Sequence, residues 1–164
     1  MRALQKGFTL IEILIVIVIV AVLMSAVTLS FPPTGDKLLK EHGERFSALV
    51  GLAQDEAILQ SSEMALEVDQ KGYAFYRNEN NSWAAYSEPP FSKRQFPAEI
   101  KSKMYLDGIS IDLIDRDKDT PQVVILSSGE MTPFTYKLSY DDKSELTLKV
   151  GATGKIEQTF VKNE

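Results

Sequence analysis

The hydrophobic and polar positions divide this chain into three stretches with different periods. From Phe8 to Leu29 nearly every position is apolar, interrupted only by Thr9, Glu12, Ser25 and Thr28. That run is about 22 residues long, enough at 1.5 Å per residue to cross a ~30 Å hydrocarbon layer as one helix. Phe31-Pro32-Pro33-Thr34-Gly35 breaks it, because adjacent prolines disfavour a continuous helix and Gly35 adds flexibility. Asp36 is the predicted N-cap of a second helix. There Leu38/Leu39, His42, Phe46, Leu49/Val50, Ala53 and Ala57 recur at helical spacing to about Leu59, while Lys40, Glu44 and Asp55 fall mostly off the stripe. Such a stripe predicts a helix with one face packed on a core.

From Met64 the pattern changes to short β-like runs. The predicted strands are Met64–Asp69, Tyr73–Arg77, Ser82–Tyr86, Tyr105–Leu113, Gln122–Leu126, Phe134–Tyr140, Glu145–Val150 and Lys155–Val161. Apolar and polar residues alternate most clearly over Ile109–Leu113 and Leu146–Val150. Gln70–Gly72, Asn78–Asn81, Asp115–Pro121, Asp141–Lys143 and Gly151–Gly154 supply turn material between them. Glu88–Pro97 holds three prolines and reads as a surface loop. There is no internal repeat and no low-complexity tract. The predicted class is α+β: a long N-terminal helix, first transmembrane and then amphipathic, packed on an antiparallel two-sheet β domain. The implied boundaries are a leader at 1–7, a membrane helix at 8–29 and one exported domain at 30–164, with its helix at about 36–60 and its strands at about 64–161.

The order of elements at the amino terminus changes the picture most. A secretory signal places its apolar core before a small-residue cleavage site, and the core is then discarded. Here the small residue, Gly7, precedes the apolar run. Lys6-Gly7-Phe8-Thr9-Leu10-Ile11-Glu12 resembles the class III leader of type IV pilins and type II secretion pseudopilins. The resemblance implies that a prepilin peptidase cuts after Gly7, methylates the new amino terminus on Phe8 and leaves the helix on the mature chain.

Glu12 has its own physical reading. A carboxylate inside an apolar membrane helix costs about 2.5–3.5 kcal/mol on insertion scales. Near the cytoplasmic interface it stays partly solvated, and the positive end of the helix dipole favours it. After cleavage it becomes the fifth residue. The resemblance then implies that Glu12 pairs with the terminal amine of a neighbouring subunit during assembly. Arg2 and Lys6 lie before the helix, which puts that end in the cytoplasm and everything after Leu29 outside the inner membrane. The expected location is the inner membrane, single-pass, with a periplasmic C-terminal domain.

Charge and composition narrow the function classes. The formal charge is −5, and loss of Met1–Gly7 removes two cations to leave −7. That acidity argues against general nucleic-acid binding, which needs clustered cations. There is no cysteine, so the exported domain must hold together by packing alone. Lone His42 lies on the apolar stripe and reads as a packing residue; one histidine far from any nucleophile motif gives no triad. Asp115-x-Asp117-x-Asp119, close after Asp112, mimics the start of a calcium loop, but Thr120 stands where the glycine belongs and Leu126 where the bidentate glutamate belongs. It reads as a solvated hairpin turn. Trp83 reads as core or edge-strand packing, and Glu130 as a structural turn residue. No catalytic residue, metal or cofactor is expected.

Two internal stretches narrow the resemblance further. Arg45–Val50 with Ala53–Leu59 is similar to the second-half helix of the minor pseudopilin H family of type II secretion. Val124-Ile125-Leu126-Ser127-Ser128-Gly129-Glu130-Met131-Thr132-Pro133-Phe134 is similar to that family's strand-turn-strand element near the carboxyl terminus, while Glu79–Asp119 carries no such likeness. The resemblance implies a non-enzymatic subunit of a short pseudopilus. Its partners would be other minor pseudopilins, the major pseudopilin and the peptidase, with no nucleic acid and no small-molecule substrate. Two alternatives stand: a minor pilin of a type IV pilus, including the DNA-uptake kind, and a membrane-anchored periplasmic enzyme or binding protein.

Overall fold

A computed structural model describes residues 9–27, 34–114 and 120–162. It divides into two units, Met1–Pro33 and Thr34–Glu164. In the first, α1 runs Leu10–Val27. Its 18 residues rise about 27 Å, and among the described residues no helix is long and apolar enough to cross a membrane. The apolar run read from sequence extends past both ends of α1, but Phe8, Thr28 and Leu29 lie outside the described residues, as does the Phe31–Pro33 break.

The second unit begins with α2, Gly35–Gln60. Its start corrects the sequence reading. Thr34 occupies the N-cap with extended backbone and no side-chain cap hydrogen bond, and Asp36 lies inside the first turn. Gly35 is not a flexible joint either: it is helical, and a Cβ there would fall 2.2 Å from the Tyr140 ring. The ring needs that space, so glycine is required by close approach. At the other end Ser61 adopts a left-handed conformation, and its N–H bonds back to the Ala57 and Ile58 carbonyls. This closes the helix with a left-handed cap that satisfies its last carbonyls.

Ten strands follow: β1 Met64–Asp69, β2 Gly72–Glu79, β3 Ser82–Ala85, β4 Arg94–Gln95, β5 Ile100–Leu106, β6 Ile109–Ile111, β7 Val123–Ile125, β8 Phe134–Tyr140, β9 Ser144–Val150 and β10 Ile156–Lys162. They form two antiparallel sheets, ordered β3-β2-β1-β7 with β4 on β2, and β10-β9-β8-β5-β6. The predicted strand Tyr105–Leu113 is corrected to a hairpin. Asp107 and Gly108 take positive φ, so Leu106 pairs with Ile109 and Met104 with Ile111. Two apolar runs separated by Asp-Gly are the sequence form of a tight hairpin. The Glu88–Pro97 stretch is only partly a surface loop, since Phe91 is buried and Arg94–Gln95 pair with Tyr73 and Gly72.

Alternation along each strand sends one set of side chains inward from each sheet. In β8 these are Phe134, Tyr136 and Leu138, and in β9 Leu146, Leu148 and Val150. Leu66, Val68, Tyr73 and Phe75 face them from the other sheet. Helix α2 packs across β8 and β9 of one sheet and β1 and β7 of the other, burying Leu39, Phe46, Leu49, Val50, Ala53 and Ala57. Phe46 sits at the centre, with ring centroids 4.8 Å from Tyr136 and 5.0 Å, edge-on, from Tyr73. Such pairs add about 0.5–1.5 kcal/mol each beyond the area they bury. Trp83 belongs to a smaller cluster with Ala65, Ala74 and Tyr76, so its packing role on edge strand β3 is observed.

Candidate functional site

Among the residues that sequence singled out for processing and assembly, Gly7 and Phe8 lie outside the described residues. Glu12 is described. Helix α1 is apolar on every face apart from that carboxylate, and its side chains from Leu10 to Val22 are exposed, Leu10 to 86%. A helix apolar all round is stable only against lipid or other apolar helices. Thr9 immediately precedes it, and the carboxylate of Glu12 accepts from the Thr9 backbone N–H at 3.5 Å. This is the glutamate half of a capping box. Sequence periodicity places Glu12 near the helix start; the capping geometry gives it a local partner as well.

The start of α2 is fastened to the sheet by charge. Ser144 donates to Asp36 Oδ1 at 2.5 Å, and Lys162 Nζ lies 3.3 Å from Asp36 Oδ2. The Ser144 hydroxyl, helped by Lys162, holds the Asp36 carboxyl below its ordinary range. Six residues on, His42 meets Phe96 edge-on at 5.3 Å. Burial lowers its pKa, with Arg45 adding repulsion and Glu41 a smaller opposite pull. His42 is a packing residue, as its place on the stripe suggested.

The far end of α2 carries a clamp that the sequence reading missed. Gln54 Nε2 donates to the Gly129 carbonyl at 2.5 Å and to the Thr153 carbonyl at 3.1 Å. One side chain thereby ties the Leu126–Pro133 connection and the β9–β10 turn to the helix. Gly129 has φ +87°, and a Cβ on it would lie 2.8 Å from Ile58 Cδ1. Its N–H donates to the Leu126 carbonyl at 2.9 Å, and Leu126 N–H to the Glu130 carbonyl at 2.7 Å. The element is not a simple hairpin: Val123–Ile125 belongs to one sheet and Phe134–Tyr140 to the other. Gln54 lies within the Ala53–Leu59 stretch, but nothing there assigns it a partner; its physical cue is a polar residue at the edge of an apolar stripe.

Of the acidic stretch, Asp115, Asp117 and Asp119 lie outside the described residues. Asp112 accepts from the Ile114 N–H at 2.8 Å, a local turn contact. Among the described residues no group of acids or histidine has metal-holding geometry.

Comparison with known proteins places these features together. Residues 2–28 match the prokaryotic N-terminal methylation motif, and residues 42–154 match the type II transport protein GspH family. The chain belongs to the GspH family. Type II secretion system protein H of Pseudomonas aeruginosa is 32% identical over 164 residues, covering 94% of each chain. Its counterpart in Aeromonas hydrophila is 29% identical, covering 85% of this chain and 83% of that one. The crystal structure of the minor pseudopilin EpsH of Vibrio cholerae shares the fold, with a TM-score of 0.64 and 19% identity over 80% of this chain and 99% of that one. The type IV minor pilin FimU of Pseudomonas aeruginosa has the same fold at a TM-score of 0.51 and 17% identity, covering 74% of this chain and 87% of that one. The likeness to FimU is one of fold; the GspH match covers most of the helix–sheet unit, and the relatives named type II secretion system protein H fit this chain better than the type IV alternative does.

Proposed function

We propose that this GspH-family chain is a minor pseudopilin: a structural subunit near the tip of a type II secretion pseudopilus that supports export of folded proteins across the outer membrane. The observation that carries this reading is one chain joining an N-terminal methylation motif to a GspH domain. The subunit acts by assembly and has no catalytic role. The leader is cut between Gly7 and Phe8, Phe8 is N-methylated, and the 8–29 helix anchors the chain in the inner membrane with residues 30–164 in the periplasm. Its neighbours are other minor pseudopilins and the major pseudopilin. An all-apolar helix with one carboxylate at its start supports that arrangement, because only lipid or like helices can cover such a surface.

Deletion of the gene tests the reading. Export of the type II substrates should fall and return when the chain is supplied in trans. Intact mass of the purified chain should show loss of Met1–Gly7 and one added methyl group. Normal export without the chain, or an uncut leader in cells that possess the peptidase, would overturn it.

A further inference from the structure

The carboxyl-terminal half of α2 keeps apolar side chains in solvent. Leu59 is 79% exposed and Leu52 42%, and beside them Ile58 is 47% and Leu126 38% exposed. The buried stripe of Phe46, Val50, Ala53 and Ala57 already faces the core, so folding of this unit does not cover these residues. On the outer ridge Ala48, Leu52, Asp55 and Leu59 are all exposed, at intervals of four, three and four. That interval is the seam spacing by which one helix packs along another. Next to the ridge a groove of about 490 Å³ is lined by Leu52, Glu56, Tyr86, Pro89, Pro90 and Arg77.

Charge indicates what fits there. From Ala48 to Leu59 the ridge has two acids, Asp55 and Glu56, and no lysine or arginine. The last turn of α2 carries no cation, although the negative end of the helix dipole favours one. Arg77, on the groove wall, is held by Glu79 at 2.5 Å and lies over the Tyr86 ring at 5.5 Å. We propose that Ala48–Leu59 is a docking ridge for an α-helix of another pseudopilin subunit, seating apolar residues on Leu52 and Leu59 and a lysine or arginine beside Asp55. This rests on the reading of the chain as a pseudopilus subunit and specifies which surface meets a partner and by what chemistry. The mode is helix-against-helix recognition with apolar anchors at seam spacing. The acid selects the partner, because an unmatched or like charge at such a contact is costly.

The test uses the full chain in secreting cells. The protein has no cysteine, so Leu59→Cys introduces a single reactive thiol. Cysteines are then walked along the helix of each other pseudopilin in turn. Disulfides with one of them should peak every three to four residues. Asp55→Lys should cut their yield about tenfold, and a lysine-to-glutamate exchange on that helix should restore it. Thr147→Cys, on the outer face of β9, is the background control. Yields no greater than this control, or Leu59→Cys joining a second copy of this chain, would overturn the proposal. So would Asp55→Lys leaving the disulfide yield unchanged. These outcomes are separate from failure of the proposed function, which would appear as normal export when the whole gene is deleted.

Discussion

Gln54 and Gly129 lie 75 positions apart in sequence, yet Gln54 Nε2 donates to the Gly129 carbonyl at 2.5 Å. The bond joins the helix to the segment that carries the chain from one sheet to the other. The same amide reaches the Thr153 carbonyl, so a single side chain fixes two connections on different strands.

Gln54→Leu keeps the size of the side chain and removes the donor. The partly buried Gly129 carbonyl then loses its partner, at a cost of about 1–3 kcal/mol, while the exposed Thr153 carbonyl turns to water. The melting temperature of the purified chain should drop by roughly 2–12 °C. Gln54→Glu should do the same or worse, since a carboxylate cannot donate to a carbonyl. Thermal unfolding followed by circular dichroism checks both, and an unchanged midpoint would show that the clamp adds nothing.

Gly129→Val should also destabilise, for a different reason. At φ +87° a β-branched residue is strained, and its Cβ would meet Ile58 Cδ1 at 2.8 Å. A loss of about 1–3 kcal/mol is expected. Ile58→Ala should relieve the contact but not the backbone strain, so the double variant should recover part of the melting temperature. Full recovery would place the whole cost in the contact.

Stability should fall in two steps on acidification. Burial holds the His42 pKa below its ordinary 6.5, so the folded chain binds fewer protons there than the unfolded one. That contribution is complete above about pH 6.5 and is lost as pH falls through the folded value. Asp36 is held low by Ser144 and Lys162. Burial alone would raise Asp69, but Lys93 and the Lys71 N–H outweigh it. Their stabilisation is present above about pH 4 and is lost below it. In a melting series from pH 7.5 to pH 5, His42→Phe should show a flatter profile than the parent while keeping a ring against Phe96. Parallel profiles would remove His42 as the source of the first step.

Glu12→Leu removes a carboxylate from an apolar helix and so lowers the cost of membrane insertion by about 2.5–3.5 kcal/mol. Membrane levels of the chain should be normal or higher. Export and crosslinking to other pseudopilins should nonetheless fall if the carboxylate is the counter-charge to a neighbour's amine. The measurement is secreted activity normalised to membrane-bound chain; parity with the parent would end that role for Glu12.

The sequence by itself determined what depends on local order and period. An unbroken apolar run after Lys6-Gly7 needs no tertiary information to be recognised, and the recurrence of Leu39, Phe46, Val50, Ala53 and Ala57 fixed both the helix and its buried face. Strands such as Met64–Asp69 and Phe134–Tyr140 came out with their observed bounds, because turn residues flank them on each side. Tertiary structure decided what depends on distant partners. Asp36 looked like a cap because caps are acidic or hydroxylic, but Ser144 and Lys162 draw its carboxylate to the sheet instead. The Ile109–Leu113 alternation joined an adjacent strand in sequence, while a left-handed Asp107-Gly108 turn folds the two against each other. Gln54 showed in sequence only as a polar residue at the edge of an apolar stripe. Its role exists only once Gly129 and Thr153 arrive beside it, since an amide's hydrogen bonds are set by what lies within 3 Å and not by its neighbours along the chain.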